Sequence, residues 1–159
     1  MTPPPEDERA DAEMKPEHRT TAPRPTIEDL NHWMVTGFDR LYGLEFDAFS
    51  DREVAAHVPI TEDHKQPMGI VHGGLYATIA ESIATIAAVV SVAGEGNTAL
   101  GLSNHTSFFR PIAHGSARAV GRRRHCGRTT QVWDVEISDD GGRPCALSRV
   151  TIAIRPYEA

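Results

Sequence analysis

Cysteine is scarce in this chain of 159 residues, with only Cys126 and Cys145. No CxxC, HExxH or close histidine pair accompanies them, so a zinc site has no sequence support and two free thiols are expected. Positive charge is also in deficit. The formal net charge of −6 argues against nonspecific binding to nucleic acid or to an anionic membrane surface. The N-terminus lacks the apolar run of a secretory signal and is rich in acidic residues, which leads us to expect a cytoplasmic protein. No internal repeat is visible, and the length suits one ordinary domain.

Proline is concentrated at one end. Of 11 in the chain, 6 fall in residues 1–25, together with 10 charged residues and five apolar ones, all Met or Ala. Such a segment cannot bury enough surface to offset its ordering entropy, so residues 1–25 read as a disordered arm and 26–159 as a single domain. Thr26 to Tyr42 reads as a helix with Thr26 as N-cap and Leu30, Trp33, Met34, Phe38 and Leu41 on its apolar face. Val54, Ala56, Val58 and Ile60 alternate as in a strand, with Leu44 to Phe49 as the expected partner. Strand patterns then recur over 99–109, 116–124, 133–138 and 146–154. Asp139 to Gly142 supplies a hairpin turn, and Ser148, Val150, Ile152 and Ile154 share one face. Antiparallel strands around one conspicuous helix make an α+β chain.

That helix, Leu75 to Gly94, has Glu81 as its one charged residue. Twenty such residues are long enough to span a bilayer. Its abundance of Ala, Ser and Thr, its mid-span carboxylate and the flanking amphipathic strands favour instead a core helix buried on all sides, and no membrane association is expected. A lone carboxylate in such a helix either pairs with an arginine or reaches the surface, or else is a tuned base or nucleophile. Thr78 and Thr85, three residues before and four after, can share its face.

Immediately upstream stands Gln66-Pro67-Met68-Gly69-Ile70-Val71-His72-Gly73-Gly74. Two glycines at a helix start form a tight turn, or let a substrate approach unpaired N–H groups that polarise a carbonyl. Taken alone, His72 is a capping or loop histidine. The whole pattern, Gln66-x5-His72-Gly73-Gly74-x6-Glu81-x3-Thr85, resembles the active site of hotdog-fold acyl-CoA thioesterases. It is most similar to the 4-hydroxybenzoyl-CoA thioesterase class with a glutamate on the central helix; the related phenylacetate-pathway enzymes more often carry Asp there. The resemblance covers about residues 41–155, and the arm and first helix fall outside it.

This likeness implies an antiparallel sheet wrapped around one long helix, to which the sequence adds an N-terminal helix. It also implies hydrolysis of an acyl- or aroyl-coenzyme A to free acid and coenzyme A, with no metal and no separate cofactor. Gly73 N–H would polarise the thioester carbonyl, Glu81 would act as nucleophile or general base, Thr85 would support hydrolysis, and Gln66 and His72 would orient the thioester and the loop. Arg110 and the Arg128-Thr129-Thr130 turn would contact the nucleotide. Arg118, Arg122, Arg123 and Arg124 thicken the positive charge near that turn, and they read equally as a solvated strand face.

Helix geometry adds a constraint of its own. Gly73 and Glu81 are eight residues apart, about 12 Å along an axis, too far to meet one thioester carbon within one chain. Two antiparallel central helices across a homodimer would bring them together, and the resemblance implies the same, commonly as a dimer of dimers, a homotetramer. A noncatalytic acyl-CoA-binding or regulatory hotdog protein is the alternative of a different class. A hotdog hydratase is weaker, because no Asp-x4-His arrangement appears in the central segment.

Overall fold

The computed structural model describes residues 25–157; the arm expected over 1–25 therefore lies, but for Pro25, outside the described residues. Helix α1, Ile27–Trp33, starts where expected. Thr26 accepts from Asp29 N–H while the Asp29 carboxylate accepts from Thr26 N–H, a closed capping box. The single helix over 26–42 does not form. The chain leaves helical geometry after Met34, turns through Gly37 at φ +68°, and resumes as the short α2, Asp39–Tyr42. Leu30 and Met34 are buried as the stripe required; Trp33 stays 44% exposed within α1 itself, and the break rotates the residues beyond it away. Phe38 and Leu41 stay 63% and 67% exposed, and Tyr42 enters the core instead.

Six strands follow: β1 (Glu45–Phe49), β2 (Glu53–Pro59), β3 (Asn97–Phe108), β4 (Ser116–Cys126), β5 (Thr130–Ser138) and β6 (Pro144–Pro156). They form one antiparallel sheet in the order β1-β2-β4-β5-β6-β3. The alternation read from the sequence becomes its inner face, where Trp133, Val135, Ile137, Ser148, Val150 and Ile152 are all fully buried. The β5–β6 hairpin closes on Asp139, whose carboxylate accepts from the Gly141 and Arg143 N–H groups, with Gly142 at φ +72°.

The sheet wraps around α3, Gly73–Val92, in the hotdog arrangement that the resemblance implied. Tyr76, Ile79, Ala80, Ile83, Ala84, Ala87, Ala88 and Val92 lie at helical spacing and form its buried face. Four alanines let the helix approach the strands closely, and Gly121 of β4 leaves room for Val54 of β2. The helix is not buried on all sides. Thr78, Glu81, Ser82, Thr85, Ile86, Val89 and Val90 are only half-buried on its outward face. The span 73–95 is long and apolar enough to cross a membrane by length and composition, but half of it is buried within the fold.

The two sheet edges differ. On β1, the Asn31 side chain donates to Phe46 O and accepts from Phe46 N–H, occupying the edge as a strand would. On β3, twelve residues run along the margin with no Asp, Glu, Lys, Arg or Pro, and Gly101 to His105 are exposed.

Candidate active site

The loop leading into α3 is built by its own backbone. Gln66 N–H donates to Ile70 O, Gly69 N–H donates back to Gln66 O, and Gly69 takes φ +78° to close the turn. The Gln66 Oε1 accepts from Met68 N–H at 2.9 Å, so its two amide hydrogens point elsewhere and meet no acceptor among the described residues. Val71 N–H donates to Ile112 O and Ile112 N–H donates to the Tyr76 hydroxyl, which docks the loop against the segment after β3.

His72 is the N-cap of α3, its Nδ1 accepting from Gly74 N–H at 2.9 Å. Leu75 N–H bonds to His72 O, whereas Gly73 N–H has no acceptor among the described residues. A donor at the positive end of a twenty-residue helix is therefore left available. The Phe108 ring lies directly over Gly73; a Cβ there would sit 3.1 Å from Phe108 Cζ, so glycine permits the packing.

Glu81 lies two turns along, on the outward face, and faces an open cleft of ≈ 330 Å³ bounded by Phe38, Ala77, Thr78, Ser82 and Asn104. The Asn104 amide donates to Glu81 Oε2 at 3.1 Å and to Ala77 O at 2.9 Å, and the Thr85 hydroxyl is 3.5 Å from Glu81 Oε1. Among the described residues, no arginine pairs with it. The carboxylate also sits over bare backbone: a Cβ on Gly101 would be 1.9 Å from Oε1. Ser82, next in sequence, donates to Asp39 at 2.6 Å and fastens α2 beside the cleft.

One chain does not assemble the set named from the sequence. Gln66, His72 and Gly73 cluster at the helix start, Glu81 and Thr85 further along, and the axial rise between Gly73 and Glu81 is about 12 Å. The expected nucleotide contacts are also split. Arg110 sits beside Cys145 at the start of β6, whereas Thr130 pairs with Ala153 near its end, about 26 Å along the strand. Three arginines of the charged run are already engaged: Arg118 with Asp140, Arg122 with Glu53, and Arg124 with Asp134. Arg123 lies over the Trp133 ring, while Arg128 has no ion-pair partner among the described residues. Among the described residues, no three His, Cys, Asp or Glu side chains cluster as a metal site requires.

Sequence reasoning missed Gly101, Asn104 and the cleft wall from Phe38. The glycine carried a signal, since a glycine inside a strand pattern marks a bulge or a close approach, and the register of β3 against β6 does shift between Gly101 and Ser103. Asn104 carried none, because its role depends on which helix residue faces it.

Residues 68–146 match the model of the thioesterase superfamily. The 1,4-dihydroxy-2-naphthoyl-CoA hydrolase of Escherichia coli is 34% identical over 129 residues, covering 81% of this chain and 94% of that protein. The proofreading thioesterase EntH of Cronobacter turicensis is 31% identical over 129 residues, covering 81% and 93%. Among solved structures, a mutant of thioesterase PA1618 from Pseudomonas aeruginosa superposes with a TM-score of 0.80 at 34% identity, covering 84% of this chain and 96% of that one.

Proposed function

The chain belongs to the thioesterase superfamily and is a thioester hydrolase, and we propose that it hydrolyses acyl- or aroyl-coenzyme A in the cytoplasm at sites shared between two copies of itself, without metal or separate cofactor. Gly73 N–H, with the dipole of α3 behind it, donates to the thioester carbonyl oxygen and stabilises the oxyanion. The Gln66 amide orients the same carbonyl, and His72 holds the helix start in shape. Glu81 of the partner subunit either takes a proton from a water that attacks the carbonyl carbon, or attacks that carbon itself to give a mixed anhydride that water then cleaves, with Thr85 beside it. Coenzyme A leaves as the thiol and the acyl group as the free acid.

The observation that carries this reading is the separation on α3 itself. Among the described residues, a donor without an acceptor and the helix's only carboxylate lie about 12 Å apart, too far for one substrate carbon, beside an edge strand that nothing guards. An antiparallel pairing of two β3 strands centred near His105 would set Phe108, which covers Gly73, opposite Leu102 of the partner subunit, next to Gly101 and its Glu81. The same register puts Arg110 opposite Leu100 of the partner subunit. Leu100 pairs with Ala153 and Ala153 with Thr130, so the two split nucleotide contacts fall in one row, about 14 Å apart across three strand spacings. The half-buried Ile86, Val89 and Val90 on α3 would be covered by the second helix.

Steady-state kinetics over aryl, short-chain and long-chain acyl-CoAs, for the native chain and for Glu81→Ala, test the proposal. At least one acyl-CoA should be turned over, with Glu81→Ala losing about 10²–10⁴-fold in kcat while coenzyme A affinity holds. Turnover by Glu81→Ala at the native rate would overturn it.

A further inference from the structure

The catalytic reading of Glu81 leaves its orientation unexplained. A glutamate on the outward face of a helix has three rotatable bonds, and the nearest hydroxyl, that of Thr85, is 3.5 Å away, too far to hold it firmly. Yet reaction requires the carboxylate to be held in one geometry.

We propose that Asn104 is the positioning residue for the Glu81 carboxylate, and that a line of hydrogen bonds reaching the buried Ser148 fixes the Asn104 amide. The Asn104 Nδ2 donates both to Glu81 Oε2 and to Ala77 O. Its Oδ1 accepts from the Thr106 hydroxyl at 2.8 Å, and Thr106 in turn lies 2.8 Å from the Ser148 hydroxyl. Because Thr106 spends its one hydrogen on Asn104, Ser148 is the donor of that last bond. Turning the amide over would set its oxygen against two acceptors, the Glu81 carboxylate and Ala77 O, so the observed orientation is the one that satisfies every partner. Ser148 is fully buried between Ala146 and Val150 on an otherwise apolar strand face, where a hydroxyl is retained only if it has a partner. Gly101 completes the seat by leaving empty the space that Oε1 occupies.

The inference rests on the thioesterase role of Glu81, and two readouts on the full chain keep them apart. In kinetics with an acyl-CoA that the native chain turns over, Asn104→Ala should lower kcat about 10-fold to 100-fold, with KM within twofold and the melting temperature nearly unchanged. Thr106→Val should show a smaller loss of the same kind. Asn104→Asp sets a second carboxylate beside Glu81 and should move the acid limb of the kcat profile to higher pH. In NMR of ¹⁵N-labelled protein, which needs no turnover, Glu81→Ala should shift the Asn104 side-chain amide resonances, because their carboxylate acceptor is gone. An unchanged kcat in Asn104→Ala beside an inactive Glu81→Ala would sink the positioning role and leave the thioesterase reading standing. Native activity in Glu81→Ala would sink both. Unmoved Asn104 amide resonances overturn the hydrogen bond itself, whatever the kinetics show.

Discussion

At the residue scale, Gly101 and Asp134 separate activity from stability. In Gly101→Ala the new Cβ collides with the end of a flexible glutamate rather than with backbone, so the carboxylate moves and the fold stays. We expect a melting temperature within a few degrees of the native chain and a kcat about 10²-fold lower, read by calorimetry and kinetics on the same sample. Asp134 acts the other way. Arg149 and, after it, Arg124 hold its carboxyl below the ordinary value despite partial burial, far from the cleft on the sheet's outer face. A carboxyl with a depressed folded pKa adds stability above its unfolded value, and that stability is lost as pH falls below about 4 through the folded value. Both arginines are more than half exposed, so the contribution is about 1 kcal/mol or less. Asp134→Asn should lose it at neutral pH and show a flatter decline between about pH 4 and 2, measured by urea unfolding.

At the element scale, the N-terminus of α3 couples folding to chemistry. His72 satisfies Gly74 N–H and so leaves Gly73 as the unpaired donor. His72→Ala should cost about 1 kcal/mol of stability and should also reduce kcat, since the uncapped turn frays where the carbonyl is to bind. Thermal melts and kinetics check the two effects independently. The element scale also shows what was legible in the sequence. Trp133, Val135 and Ile137 announced their strand because each apolar residue is flanked by a polar one, and the structure buries all three. The stripe through Leu30, Trp33, Met34, Phe38 and Leu41 misled for the same reason that the strand did not. Periodicity reports a face only while the backbone continues, and Gly37 at φ +68° ends that continuity. The motif around His72 and Glu81 could be read because it is local to one loop and helix. Asn104 could not, since the pairing of Asn104 with Glu81 belongs to the packing of β3 on α3.

At the scale of the whole molecule, the proposed sharing of the site predicts complementation. Glu81→Ala and Gln66→Ala chains, each inactive alone, should regain activity when unfolded together and refolded as a mixture. Half the dimers would be mixed, each with one intact site, giving roughly a quarter of native activity. No recovery in a mixture shown by mass to contain mixed dimers would mean that each chain supplies its own complete site.

The unlike edges of the sheet carry a further consequence. An exposed strand margin is a template, and a protein with two of them can add copies at both ends without limit. Here Asn31 occupies the backbone of Phe46 on one margin, while β3 lies open on the other. A sheet with a single usable margin can pair once, and that pairing uses it up. On the proposed pairing of two β3 strands, Asn31 acts as a chain terminator: growth through strand pairing would stop at two copies. Replacing it would threaten the finite size of the assembly before it threatened the fold.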